Sequence, residues 1–196
     1  MTQPIDWGRG DWHPVVHLPD DYDVLDLTEP GRPRGGSPFA VGRYDEDRRG
    51  MYEQDLFEGA RTLHVGVDLG GPAGTPVHAF ADGIVHAQGA LPAPGDYGHV
   101  IVTRHEVDGR PVWALHGHLS AVSLTRRAVG EAFARGDVLG ELGDEGENGG
   151  WPPHLHFQLS LDEPAGHDLP GVVDPAERAE ALVRYPDPRL VLGPLW

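Results

Sequence analysis

From Arg61 to Leu161 the chain is a succession of short runs rich in Val, Leu, Ile, Thr and aromatic residues, each closed by a cluster of Gly, Pro, Asp or Asn. Runs of that length with turn formers between them leave no room for long helices and predict an all-β sandwich or barrel. Strands are expected near 61–69, 76–88 with a break at Ala81-Asp82-Gly83, 98–106, 111–119, 137–142 and 154–161. The segments GGPAGTP, APGDYG and GDEGENGGWPP mark turns, and Asp108-Gly109 reads as the tip of a hairpin.

The flanks differ from this middle. Residues 1–60 are rich in Pro, Gly, Asp and Arg, with Trp7, Trp12, Tyr22, Phe39, Tyr44, Tyr52 and Phe57 dispersed among them without a helical or strand period. They read as an irregular N-terminal extension packed on the core, because a disordered tail would carry fewer aromatic rings. Residues 61–196 are then the main β domain, and 196 residues suit one domain with additions. Near its end, Asp174-Pro175-Ala176-Glu177 combines a capping acid, a first-turn proline and a following acid ahead of Ala179, Leu182 and Val183, which predicts a short C-terminal helix. The remaining YPDPRLVLGPLW is expected to lie against the core as a tail.

Alternate residues of a strand share a face, so parity tells which side chains can converge. In RTLHVGVDL, Thr62, His64, Gly66 and Asp68 fall on one face and Leu63, Val65, Val67 and Leu69 on the other. In VWALHGHL, parity puts His116 with His118, opposite Trp113, Leu115 and Leu119. In HLHFQLSL, His154, His156, Gln158 and Ser160 oppose Leu155, Phe157, Leu159 and Leu161. Three strands are thus expected to carry imidazoles over a buried apolar row. Of the other histidines, His13 and His17 are four apart but separated by Pro14, which spoils a helix between them, so a structural role is expected. His78, His86, His99, His105 and His167 stand isolated and are read as packing or surface residues.

Composition narrows the chemistry. There is no cysteine, so thiolate sites and disulfides are excluded and any metal must be held by imidazole and carboxylate. Two His and one Asp would leave a fourth position open for water on zinc; the same set also makes the facial triad of non-haem iron oxygenases. A formal net charge of -16 makes nucleic acid and anionic membrane surfaces unfavourable partners, and polyanionic envelope polymers should be repelled as well. The start, MTQPIDWGRGDWHP, has no basic patch followed by an apolar stretch, and no apolar run is long enough to span a bilayer. A cytoplasmic location is the expectation from the chain as written.

Five segments together resemble the lysostaphin-type zinc metallopeptidases, a family of glycyl-glycine and peptidoglycan cross-link endopeptidases: HVGVD at 64–68, GTPVHAFADGIV at 74–85, GHLS at 117–120, RGDVLGELG at 135–143 and PHLHFQL at 153–159. The resemblance covers about residues 61–161 and implies an antiparallel β architecture related to the hybrid barrels of lipoyl and biotinyl carriers. It implies one zinc ion per chain held by His64, Asp68 and His156, with His118 and His154 as the catalytic pair beside a metal-activated water. The substrate implied is a peptide or a peptidoglycan-like polymer. Two departures stand out. His116 occupies a place where the family usually has Tyr, which makes it a candidate for support of the site, and Trp151 enlarges a turn that is usually compact, which makes it a candidate for the substrate cleft. A carrier function is excluded, because such proteins need a modified lysine and all 15 basic residues here are Arg. A non-catalytic, zinc-containing binding or regulatory module on the same fold is the alternative. The N-terminal extension raises the further expectation that residues 1–60 occlude the cleft.

Overall fold

The computed structural model describes residues 4–29, 35–52 and 60–196. Its strands are Asp23–Val24 (β1), Ala40–Gly42 (β2), Glu46–Asp47 (β3), Leu63–His64 (β4), Val67–Gly70 (β5), Pro76–His78 (β6), Gly83–Leu91 (β7), Gly98–Val107 (β8), Arg110–Leu119 (β9), Ala132–Phe133 (β10), Val138–Glu141 (β11), His154–Ser160 (β12) and Val172–Val173 (β13). Eight of them form one sheet in the order β1-β2-β5-β12-β9-β8-β7-β10, β11 pairs with β6, and β13-β4-β3 make a third sheet. Pairing is antiparallel except between β1 and β2. The protein is all-β in its core, as the succession of short runs predicts.

The longest pair, β8 and β9, is closed by Asp108 and Gly109, with Val107 opposite Arg110. Both turn residues have positive φ, 51° and 70°, which is what a type I′ two-residue hairpin requires. The sheet is buried on both sides. Leu155, Phe157, Leu159, Ile101 and Ala114 belong to one apolar cluster, and Val100, Val102, Trp113 and Leu115 to a second. Fully burying a Leu or Phe side chain contributes roughly 1.5–3 kcal/mol, so these central strands anchor the scaffold on which the site is built.

Two parity expectations require correction. Leu63 and Val65 enter the second cluster whereas Val67 and Leu69 enter the first, so the run from 61 to 69 changes sides at Gly66 and is two strands, not one. A side chain at Gly66 would meet the His156 ring at 2.5 Å, and only a glycine lets the backbone cross there. In β9, His116 lies opposite Phe157 and Ile101, with the register shifting between His99 and Ile101, and it therefore faces the apolar cluster. His118 does not share its orientation. Its φ of 62° puts it in the left-handed region and turns it off the strand's alternation.

The segment before Leu63, expected as an irregular extension, supplies the short strands β1, β2 and β3. β2 pairs with β5, with Gly42 opposite Asp68, and β3 pairs with β4, with Glu46 opposite His64. Strands of two or three residues are too short to show a period in the sequence. Val15 and Val16 are buried in the first cluster. The expected C-terminal helix is present: Asp174 caps Ala176 N–H at 2.8 Å, a 3-10 turn follows over Pro175–Glu177, and α1 runs over Arg178–Arg184. The tail adds a four-residue helix, α2 (Arg189–Leu192), that buries Val191. Among the described residues no helix is long and apolar enough to cross a membrane.

Candidate functional site

Asp68 of β5 lies opposite His156 of β12 in the sheet, while His64, four residues earlier, reaches the same point from β4. Three atoms converge: His64 Nε2 and His156 Nδ1 are 3.0 Å apart, and Asp68 Oδ1 is 3.2 Å from each. Each donor is oriented from behind. The His64 Nδ1–H donates to the Arg43 carbonyl at 2.8 Å, which leaves the Nε2 lone pair facing the cluster. The His156 Nε2–H donates to Gln158 Oε1 at 3.0 Å, and the Gln158 amide donates in turn to the Pro170 carbonyl. Asp68 Oδ2, the oxygen turned away from the imidazoles, accepts from Arg48 at 2.7 Å.

The charge states follow from this packing. Burial lowers His64 to about 4, aided by the nearby Arg48 cation, so the ring is neutral near pH 7. Burial alone would raise the Asp68 carboxyl; the neighbouring His64 and the Arg48 guanidinium outweigh it and hold the group well below the usual carboxylate range. Since His64 is itself neutral, the lasting cation beside Asp68 is Arg48. That guanidinium is buried and also pairs with Glu46 at 2.9 Å. Burial works against its charge, and Tyr52, Asp68 and Glu46 keep it protonated.

Two further imidazoles stand beside this cluster. His154 Nε2 is 3.9 Å from Asp68 Oδ1, and the His118 and His154 rings are 4.3 Å apart. Both use Nδ1–H to donate to a carbonyl, His118 to Asn148 at 2.8 Å and His154 to Pro152 at 2.7 Å, so Nε2 is the free nitrogen on each. Both acceptors belong to the loop GDEGENGGWPP. Burial lowers both rings, with His154 lowering His118 further and Asp68 opposing the shift in each, so both are neutral bases near pH 7. The fully buried Asn148 holds that loop together: its amide donates to Gly143 and Trp151 carbonyls and accepts from the Gly150 and Trp151 N–H groups.

The cluster opens into a cleft of about 530 Å³ lined by Leu25, Met51, Tyr52, Tyr97 and Trp151 among others. Tyr52 and Trp151 meet edge to face with ring centres 6.2 Å apart. Residues of the first sixty thus form one wall of the cleft. The buried Tyr97 ring packs on His118 and His156 and donates its hydroxyl to Leu169.

Of the residues singled out from sequence, the structure brings His64, Asp68, His156, His118, His154 and Trp151 to one cleft. His116 is not among them: it is fully buried, donates from Nδ1 to the Ile101 carbonyl at 3.2 Å, and lines no part of the cleft. Arg48, Gln158 and Asn148 hold the cluster yet are not legible as its supports. Gln158 shares the parity of His156, which was a usable signal; Arg48 and Asn148 sit in segments without a period.

The donor set suits zinc. Neutral imidazole and carboxylate are its ligands in the absence of thiolate, three protein donors leave a position open, and ligand distances of about 2.0–2.2 Å in a tetrahedron put donor atoms about 3.3–3.6 Å apart. The observed separations of 3.0–3.2 Å lie just under that range.

Comparison with known proteins agrees in direction. The chain is 37% identical over 100 residues to the DD-carboxypeptidase/endopeptidase Mpg of Neisseria meningitidis serogroup B, which covers 51% of this chain and 20% of that protein. It is 33% identical over 138 residues to an uncharacterized metalloprotease of Haemophilus influenzae, covering 67% of this chain and 27% of the relative. The chain therefore spans only a fifth to a quarter of the length of these relatives. Among solved structures, the catalytic domain of the prophage-encoded M23 protein EnpA from Enterococcus faecalis aligns with a TM-score of 0.48 at 26% identity, covering 74% of this chain and 94% of that one. The lysostaphin catalytic domain from Staphylococcus simulans aligns with a TM-score of 0.48 at 24% identity, covering 72% and 92%. The family model described as Peptidase family M23 matches residues 62–166, more than half of the sequence, and on that match the chain belongs to peptidase family M23.

Proposed function

We propose that this protein is a zinc-dependent hydrolase, endopeptidase-like, that cleaves a peptide or amide bond in a peptide or peptidoglycan-like substrate. The observation that carries the reading is the convergence of three lone-pair donors within 3.2 Å of one another, each fixed from behind by a hydrogen bond or ion pair. His64, Asp68 and His156 would hold one zinc ion per chain. When bound, zinc supplies Lewis acidity, lowering the pKa of a coordinated water and polarising a carbonyl oxygen.

The chain's own residues supply the rest. Asp68, kept ionised by Arg48, contributes the negative charge that a divalent ion requires. His154 and His118, with Nε2 free, are placed to take a proton from the attacking water and to return one to the departing amine; a positioned base of this kind contributes about 10²–10⁴-fold. The neutral state of both rings at pH 7 suits the first proton transfer. Tyr52, Tyr97 and Trp151 give the cleft aromatic walls against which a backbone could lie, and they restrict water around the reacting bond.

The experiment is metal analysis of the purified protein beside His156→Ala, followed by hydrolysis assays on a peptide library and on purified muropeptides. The expected result is zinc in the cleft, loss of that zinc in the variant, and cleavage by the wild type that His154→Gln and His118→Gln abolish while retaining metal. Undiminished zinc at the cleft of His156→Ala would overturn the ligand assignment. A zinc-loaded wild type inert towards every substrate would favour the non-catalytic binding module instead.

A further inference from the structure

Outside the cleft, the fold gathers a second set of imidazoles that the sequence holds far apart. The chain at His13–Val15 runs beside β6, with the His13 N–H donating to Phe80 and the His78 N–H donating to Val15. This pairing brings His13, His17 and His78 together, with ring centres 4.9–5.3 Å apart. His78, read from sequence as isolated, is thus a neighbour of His13 and His17: one ring nitrogen from each lies within 4.8 Å of the other two. None of the three lines the cleft around Asp68.

The rings are oriented as those of the cleft are. His13 Nδ1–H donates to the Pro14 carbonyl at 2.8 Å, and His78 Nδ1–H donates to the Gly136 carbonyl at 3.0 Å, so each presents an unprotonated Nε2. A hydrogen bond from the second ring nitrogen to a carbonyl fixes tautomer and direction and raises the basicity of the ligating nitrogen. His17 is exposed, and among the described residues its ring makes no hydrogen bond, so it is free to swing onto a third coordination position. No carboxylate or thiolate belongs to the set. Three imidazoles with open remaining positions suit zinc, copper and nickel and do not suit calcium or magnesium.

We propose that His13, His17 and His78 form a second transition-metal site, independent of the cleft, in which the ion clips the N-terminal segment onto β6. The nitrogens must draw in from separations of up to 4.8 Å to the roughly 3.3 Å of a tetrahedral zinc site, a movement that the unrestrained His17 ring can make. Binding an ion across two segments far apart in sequence stabilises the folded state over the unfolded chain.

The test is calorimetric titration of the metal-free protein with Zn²⁺, in the wild type, His17→Ala, His156→Ala and the double variant, paired with thermal melts. His17 is exposed, so its replacement leaves the core untouched. In the His156→Ala background one Zn²⁺ should still bind and raise the melting temperature by several degrees; adding His17→Ala should remove both effects. Zinc binding and a melting shift that persist in the double variant, or no zinc binding in His156→Ala with His17 intact, would overturn the proposal. Because the readout is taken with the cleft ligand removed, the result is separate from the fate of the hydrolase reading.

Discussion

Arg48 NH1 sits 2.7 Å from Asp68 Oδ2, so that one carboxylate oxygen is held by a buried guanidinium while the other faces His64 and His156. The pairing sets both charge and orientation of Asp68. Replacing Arg48 by Met leaves the Asp68 carboxylate without its cation, whereas Glu46 keeps Arg43 at 2.6 Å. Breaking a buried pair from one side costs about 3–5 kcal/mol. Loss of a group that orients a ligand lowers metal affinity by roughly 10–100-fold. Both are expected for Arg48→Met, read by denaturant melts and by zinc competition against a chromophoric chelator. An unchanged zinc affinity in a folded variant would mean that Asp68 needs no such partner.

Asn148 acts on the two free imidazoles through the loop that it ties. Asn148→Ala removes the amide that bridges Gly143, Gly150 and Trp151, so the carbonyls that orient His118 and His154 lose their fixed positions. Zinc content should stay at the wild-type level while kcat falls by about 10-fold or more, since misplaced reacting groups are costly in rate. A fall in zinc content with no change in kcat per bound metal would contradict this division of labour.

Gly66 is where the chain crosses from one apolar cluster to the other beneath His156. A methyl group there would approach the ring at 2.5 Å and the Phe157 carbonyl at 3.0 Å. Gly66→Ala should therefore push His156 off its position, lowering zinc affinity by at least 10-fold, and should cost about 1–3 kcal/mol as an overpacked site does. Titration with Zn²⁺ and a urea melt check the two effects in one preparation. Wild-type affinity in Gly66→Ala would show that the ring has room to move.

His116 belongs to the stability of the fold. Its Nε2 is buried without a hydrogen-bond partner, and burial lowers the ring to about 3; His105, bonded to Thr103 and to the Asp82 carbonyl, is lowered by burial to about 4. Both values lie below the ordinary 6.5, so the unfolded chain takes up protons first as pH falls. Stability from these rings is complete above about pH 6.5 and drains away towards pH 4 and 3, by up to about 1.4 kcal/mol per pH unit for each. His116→Leu should keep zinc and stay within about 1 kcal/mol of wild type at pH 7, because the lost bond to Ile101 is offset by removal of an unpaired nitrogen. Urea melts at pH 7, 6 and 5 should show a shallower loss of stability in the variant; an equal slope would place the proton uptake elsewhere.

What could be read from sequence was whatever obeyed an unbroken period. β12 keeps its alternation from His154 to Ser160, so its imidazole face and its apolar face were both legible, and Asp108-Gly109 declared its hairpin through residues that accept positive φ. Parity failed where the backbone departs from a plain strand. The crossing at Gly66 divides one apolar row between two clusters, and the register shift near His99 with the left-handed φ of His118 sends His116 and His118 different ways. Arg48 could not be found because its strand neighbours, Glu46 and Asp47, are too short a run to carry a pattern. His13, His17 and His78 share neither strand nor spacing; only the backbone pairing of two distant segments puts them side by side.

The match to the family model begins at residue 62 and stops at 166, and both borders pass through the framework of the site. His64, Asp68, His118, His154 and His156 lie inside those borders. The carbonyl of Arg43 and the guanidinium of Arg48 lie upstream, while the Leu169 and Pro170 carbonyls that anchor Tyr97 and Gln158 lie downstream. Moving residues 62–166 into another host would transplant those five side chains and leave behind what aims them. The segment that the family model matches is thus smaller than the framework that holds the cluster, and the difference is written in the segments that look least informative.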